Sequence, residues 1–170
     1  IRNIIDINKD IYTIIFCRTR RETKDLSKKL IEDNYNAKVL NGDLSQNERD
    51  NVMNQFRAKV INILVATDVA SRGIDVNNLS HIINYNLPDD PEVYVHRSGR
   101  TGRAGKNGLS IVFISSKEYK RLDEIKRLSK ISFEKKDIPD EKEILNSRMS
   151  LLINKITSLP IPSEKDRELF

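Results

Sequence analysis

The stretches Ile61-Asn-Ile-Leu-Val-Ala66 and Leu109-Ser-Ile-Val-Phe-Ile114 are apolar at nearly every position rather than at alternate ones. A strand with one face in water alternates. A strand that is apolar on both faces belongs inside a parallel sheet with helices above and below. Shorter runs of the same kind occur at residues 12–17, 37–40 and 81–86. Amphipathic stretches of helix length separate them, so the chain reads as repeated βα units. The expected class is α/β, a parallel sheet sandwiched between helices in a three-layer αβα arrangement.

The helices are legible from their caps and stripes. Leu26, Leu30 and Ile31 mark the apolar face of a helix over residues 22–33. Ser45, with Glu48 three positions on, makes a capping box for the next helix, whose buried side is Val52, Met53 and Phe56. Ser116 is expected to cap a charged helix running to residue 130, with Leu122, Ile125 and Leu128 facing inward. Residues 132–136 read as a sixth, edge strand. From Ile138 the texture changes: Pro139, a helix-like stretch over 141–158, then Pro160, Pro162 and a charged end. The expected organisation is one domain over residues 1–137, with an appended helix and linker over 138–170.

Composition narrows the setting. Of 170 residues, 38% are hydrophobic and 32% charged, which excludes a disordered chain. No apolar run approaches the roughly 20 residues of a membrane helix, so no membrane association is expected. One cysteine cannot build a disulfide framework, and with no leader pattern a cytoplasmic, reducing location is expected. The start at Ile1 rather than methionine points to a piece of a longer protein.

The formal charge of +5 is concentrated rather than spread. Residues 96–108 hold Arg97, Arg100, Arg103 and Lys106 with no acidic residue, and four of the six glycines: Gly99, Gly102, Gly105 and Gly108. In parallel α/β sheets, ligands bind beyond the carboxyl ends of the strands. Those ends carry Arg18-Thr19-Arg20-Arg21, Asn41-Gly42-Asp43 with Gln46 and Arg49, and Thr67-Asp68 leading to Ser71-Arg72-Gly73-Ile74-Asp75. Hydroxyls, glycines and guanidinium groups are the donors that hold phosphate. Asp89 or Asp90 with Pro91 opens a helix that is expected to extend through His96 to Arg103, placing His96, Arg100 and Arg103 on one face. Gly99 and Gly102 would each cost such a helix about 1 kcal/mol relative to alanine. No acid within the segment neutralises its arginines, so a purely structural role is disfavoured.

The chain contains no G-x-x-x-x-G-K-[ST] phosphate loop, and no acidic cluster follows a strand to hold magnesium. It has guanidinium groups suited to a transferring phosphoryl group but no evident means of holding ATP with its metal. This is half of a site.

These segments resemble the DEAD-box ATP-dependent RNA helicases, in their second, C-terminal RecA-like domain. Ile14-Ile-Phe-Cys-Arg-Thr-Arg20 is similar to motif IV, Gln46-x-x-Arg49 to motif IVa, Ala66-Thr-Asp-Val-Ala-Ser-Arg-Gly-Ile-Asp75 to motif V, and His96-Arg-Ser-Gly-Arg-Thr-Gly-Arg103 to motif VI. The resemblance covers residues 1–137. Asn41 stands where family members commonly carry histidine, and Asn86 ends a strand that in the family often ends in aspartate. Ile138-Pro139 and Glu143-Ile144 in the tail are similar to bacterial cold-shock-type members.

The resemblance implies an ATP-dependent RNA helicase that unwinds short duplexes by closing two RecA-like domains, the isolated domain being inactive as an ATPase. It implies that Arg100 and Arg103 are arginine fingers on the γ-phosphate, and that Gly73 and Asp75 meet the nucleotide. Thr19, Gly42, Arg49 and Thr67 would contact RNA. Gln46, His96 and Arg97 would couple the RNA to the nucleotide and to an N-terminal RecA-like domain, which would hold the Mg2+ of MgATP. A DNA-directed helicase or translocase, and a non-enzymatic RNA clamp, stay open as alternatives. The rim shows no aromatic stacking platform, which suits sequence-independent grip.

Other features read as structural. Cys17 is an inert core thiol and His81 a strand-edge residue rather than a ligand; two histidines and one cysteine make no metal site. Residues 117–136, with eight basic and four acidic side chains, read as a solvated face, with an auxiliary RNA contact as the alternative. The helix over 141–158 either packs on its own domain or begins a homodimer contact.

Overall fold

The computed structural model describes residues 1–8, 10–71, 76, 78–102 and 108–157. These belong to two compact units, Asp10–Glu134 and a smaller one formed by Ile1–Lys9 with Lys135–Phe170. The sequence divides the chain once, after residue 137; the structure also sets residues 1–9 apart from the sheet unit.

The larger unit is built on a five-stranded, wholly parallel sheet of β1 (Thr13–Phe16), β2 (Ala37–Leu40), β3 (Ile63–Ala66), β4 (His81–Asn84) and β5 (Leu109–Val112), in the order β2-β3-β1-β4-β5. The doubly apolar strands explain the choice at the centre of the sheet, whereas β5, expected to be covered on both faces, lies at the edge with Leu109 exposed and the rest half-buried. Ile14, Phe16, Leu64, Ala66 and Ile82 join Tyr12, Leu40, Met53 and Phe56 in one core on one face, while Ile15, Val65 and Ile83 are fully buried on the other. β-branched and aromatic residues suit such a pleated surface.

The helices begin at side-chain caps. Thr19 caps α2 (Arg20–Glu32) in a capping box with Glu22, so this helix starts two residues before the expected 22, and Ser45 caps α3 (Gln46–Arg57) as expected in another box with Glu48. α4 (Asp68–Ser71) is a single turn after β3. Asp90 caps α5 (Pro91–Ser98), with Pro91 in the first turn. α6 (Tyr119–Ser129) packs on α5 through Leu87, Tyr94, Leu122 and Ile125.

Several expectations change. The cap ahead of α6 is Ser115, not Ser116: its hydroxyl and backbone engage Glu118, and a 3-10 turn, Ser116–Glu118, precedes α6. β3 starts at Ile63, two residues into the apolar run 61–66, after Lys59 with a left-handed φ of 55° and the exposed Val60. Ile31 is exposed because α2 buries the stripe Thr23, Ser27 and Leu30, with Thr23 tied to Asn41. Leu128 is likewise exposed. No sixth strand forms over 132–136: Ile131 and Phe133 instead lie on the α5–α6 cluster, with the Phe133 ring 5.1 Å from that of Tyr94.

In the smaller unit, α1 (Arg2–Ile7) lies beside α7 (Glu141–Thr157), and the Asn3 side chain donates to the Pro139 carbonyl at 2.7 Å. Asp140 and Glu143 cap the start of α7 reciprocally. Among the described residues, no helix is long and apolar enough to cross a membrane.

Candidate functional site

Because the strands are parallel and in register, Phe16, Leu40, Ala66 and Asn84 form one row across the sheet. The residues that follow them, Cys17, Asn41, Thr67 and Tyr85, therefore open onto one rim. The order of the sheet makes β1 the strand at which the chain switches sides, which is where α/β sheets place ligands.

The centre of this rim is held by Arg97. Its side chain is 6% exposed; Nε donates to Asp68 Oδ1 at 2.6 Å, Nη2 to Asp68 Oδ2 at 2.6 Å, and Nη1 to Asn84 Oδ1 at 2.8 Å. The guanidinium also lies 4.8 Å from the centroid of the Phe16 ring. The acid missing within residues 96–108 is thus supplied from 29 positions earlier. One guanidinium joins the turn after β3, the end of β4 and the face of β1. Asp68 and Asn84 are site residues that the sequence reading did not assign. The signal available was Asp68 itself, the carboxylate directly after Thr67 at a strand end.

The loop after β1 is closed by a second network. Arg18 N–H donates to Asn86 Oδ1 at 3.0 Å, and Asn86 Nδ2 donates to Glu22 Oε1 at 3.1 Å. Glu22 Oε2 in turn accepts from Thr19 N at 2.9 Å and from the Thr19 hydroxyl at 3.1 Å. Asparagine at position 86 can accept from one side and donate to the other. An aspartate there would face Glu22 with a second carboxylate. The substitution away from the family pattern is thus matched to its neighbour.

Beside it, Asn41 is buried, donates to the Thr23 hydroxyl at 2.9 Å and accepts from Asp43 N–H at 2.9 Å, shaping the turn that presents Gly42. The Asp43 carboxylate spans two cations, Arg20 Nη1 at 2.8 Å and Lys24 Nζ at 2.5 Å. The hydrogen bonds from Lys24 and then Arg20 hold its carboxyl below the ordinary range. Arg49, half-buried on α3, donates to the Ala70 carbonyl, and Gln46 donates to Asp50 at 2.9 Å. Thr67 is buried at the end of β3, and its N–H donates to Leu40 O at 3.4 Å.

The arginine segment departs from the expected helix. α5 stops at Ser98 with Gly99 as its cap, so His96 is helical and exposed while Arg100 sits half-buried in the turn beyond, its N–H on Arg97 O at 3.1 Å. Gly102 takes a φ of 67°, a left-handed conformation that suits glycine. A Cβ on Gly108 would fall 2.2 Å from Gly102 N and from Thr101 Oγ1. Two of the clustered glycines thus serve a turn and a close approach, and the shared helical face does not form. Arg103, Gly73 and Asp75 lie outside the described residues.

His96 also lines a pocket between α5 and α6 with Pro91, Val95, Leu128 and Ser129, where the Val95 and Leu128 side chains are exposed. Tyr85, 39% exposed just past β4, adds an aromatic ring to a rim expected to have none. Cys17 is fully buried; burial first, and Glu22 second, push its thiol up to about 12. His81 is buried within β4, between β1 and β5, rather than at an edge, and burial lowers its pKa. Among the described residues, no cluster of His, Cys, Asp or Glu could hold a metal.

Comparison with known proteins places this arrangement. The helicase conserved C-terminal domain family matches residues 1–105. The ATP-dependent RNA helicase CshA of Limosilactobacillus reuteri is 40% identical over 164 residues, 96% of this chain and 33% of the relative. A probable ATP-dependent RNA helicase of Methanocaldococcus jannaschii is 51% identical over 128 residues, 75% of this chain and 35% of the relative. The chain spans about a third of the length of these curated relatives. Among solved structures, a DEAD box protein from the hyperthermophile Methanococcus jannaschii superposes with a TM-score of 0.71 at 45% identity, over 79% of this chain and 39% of that one. Dbp5 of S. cerevisiae, bound to RNA and ADP BeF3, superposes with a TM-score of 0.76 at 30% identity, over 88% of this chain and 40% of that one. The five-stranded sheet with its flanking helices is the RecA-like αβα fold.

Proposed function

The chain belongs to the helicase conserved C-terminal domain family, in its DEAD-box group, and from that membership we propose that it is one half of an ATP-dependent machine that opens short RNA duplexes. Its work is done by closing on an N-terminal RecA-like domain over RNA and nucleotide. The observation that carries this reading is the single rim where the ends of β1, β2 and β3 meet the arginine segment, linked through Arg97 and Asp68. An RNA-bound relative with the same fold supports the choice of RNA.

On this reading Arg100 and Arg103 bring positive charge to the γ-phosphate, and Gly73 and Asp75 meet the nucleotide. Bound MgATP, its metal held by the N-terminal domain, supplies the bond whose cleavage resets the machine. Thr19, Gly42, Arg49 and Thr67 line the RNA side and read backbone rather than sequence. His96 presents outward toward the partner domain beside the exposed Val95 and Leu128, an apolar patch of the kind that marks interfaces. Arg97 and Gln46 couple the two sides from within. The helicase domain ends near residue 137. The stretch beyond it carries Leu145, Met149, Leu152 and Ile156 exposed at 4-3-4 spacing on α7, a seam suited to a second copy of the chain. The location is cytoplasmic.

The test is RNA-stimulated ATPase of the complete protein. Arg100→Ala and Arg103→Ala should each lower kcat by about 10²-fold or more, as loss of a charge-stabilising group does, with RNA binding retained. Wild-type turnover in either variant removes the finger assignment. Equal stimulation by DNA turns the reading toward a DNA translocase. The isolated chain should hydrolyse no ATP.

A further inference from the structure

Along the rim, most hydrogen-bonding groups already have partners within the chain. The Thr19 hydroxyl is engaged by Glu22, the Arg18 and Thr19 amides by Asn86 and Glu22, and the Arg49 guanidinium by the Ala70 carbonyl. Two carboxylates each bridge a pair of cations: Asp89 holds Arg18 and Arg121 through one oxygen, and Asp43 holds Arg20 and Lys24. The Asp43 carboxylate divides its oxygens between cations from successive turns of α2, and both of these cations are more than half exposed. Gly42 has no side chain, and a Cβ built on it would touch the Arg20 guanidinium at 3.6 Å, so that face of the cation is left bare. The arrangement lies at the amino-terminal end of α2, whose dipole adds to the local attraction for an anion.

We propose that the Asp43 carboxylate is a stand-in for an RNA phosphate, occupying the Arg20–Lys24 pair until RNA displaces it. This rests on the RNA reading above and names a subsite within it. A carboxylate and a phosphate diester present similar oxygens to an arginine fork and an ammonium. Exposed ion pairs contribute little net stability, so exchanging one anion for another costs the fold little. The Lys24 and Arg20 hydrogen bonds that lower the Asp43 carboxyl pKa are the contacts a phosphate would have to take over. With Asp43 in place the trio carries a net charge of about +1 rather than +2, which weakens non-specific capture of polyanions. A phosphate diester must then bring enough additional contacts to dislodge the internal anion.

The test is fluorescence anisotropy of a labelled single-stranded oligouridine titrated with the complete protein across a salt series. Asp43→Asn keeps the shape and removes the charge. It should bind about fivefold more tightly at low salt, and its log–log salt slope should steepen by about 0.7, as one more neutralised phosphate on a single strand requires. Asp25→Asn, which frees a cation elsewhere on α2, should change both quantities less. Adding Arg20→Ala and Lys24→Ala to Asp43→Asn should abolish the gain. Unchanged or weaker binding by Asp43→Asn, or an equal gain in Asp25→Asn, overturns the proposal while leaving RNA binding intact. Failure of the wild-type protein to bind the oligonucleotide removes the RNA reading and this subsite with it.

Discussion

Arg97 and Asp68 face each other fork to fork, both nitrogen–oxygen distances 2.6 Å, although the guanidinium is almost fully buried and the carboxylate is 38% exposed. The pair joins two segments that sequence motifs treat as separate devices. Bidentate geometry fixes their relative orientation as well as their separation.

Removing Asp68 leaves a buried cation without its partner. Asp68→Ala should destabilise the domain by roughly 3 kcal/mol, the lower part of the range for breaking a buried pair because the acid is partly solvated. The urea midpoint of unfolding is the readout. Arg97→Met, which removes the charge and retains much of the volume, should cost less than Asp68→Ala, and the reverse order would refute the account of an uncompensated charge.

Asn86→Asp places a carboxylate against Glu22. The variant should lose about 1 kcal/mol at neutral pH, the cost of one hydrogen bond that becomes a repulsion. That loss should shrink as added salt screens the two like charges. Chemical unfolding of wild type and variant at low and at high salt decides the point; a salt-independent loss would implicate packing instead.

His81 is buried, with Nδ1 2.9 Å from the Ser80 hydroxyl, and burial depresses its pKa. In the unfolded chain it titrates near its ordinary value of about 6.5. The unfolded state therefore takes up a proton first as pH falls below that value, and stability declines through pH 6 and lower until the folded pKa is passed. His81→Gln should flatten this part of the stability–pH curve. A curve of the same shape in the variant would assign the slope to other groups.

Phe56 and Leu128 should separate fold from function. Phe56 is fully buried beside the Tyr12 ring at 4.5 Å, so Phe56→Ala should cost about 3–5 kcal/mol. Leu128 is 58% exposed, so Leu128→Ser should change stability by under about 0.5 kcal/mol. The complete protein carrying Leu128→Ser should show a raised requirement for ATP and RNA in its ATPase assay, reflecting weaker domain closure.

The sheet was legible because it rests on a local signal. Doubly apolar runs such as 61–66 leave few alternatives to a covered parallel strand, and the capping box at Ser45 and the Asp90–Pro91 pair announce helix starts within a few residues. What could not be read depends on partners far away in sequence. Ile31 and Leu128 keep the right spacing for burial but lie off the stripes that the sheet and α5 select. Residues 131–133 have strand composition, but their apolar side chains are satisfied by helices. In the site, the row of strand ends followed from topology, whereas the Asp68–Arg97 and Asn86–Glu22 links needed coordinates, since no periodicity relates residues 29 or 64 apart.

At Gly108 a side chain would collide with backbone rather than with the movable end of another side chain, since its first carbon would meet the Gly102 main chain and the Thr101 hydroxyl. Thr101 is itself tied to the Leu79 carbonyl, and Gly108 leads directly into β5. A single methyl group at position 108 must therefore displace either the start of a strand or a turn anchored just before β4. In a library of variants, the positions least tolerant of substitution would include a glycine whose contribution is the room it leaves.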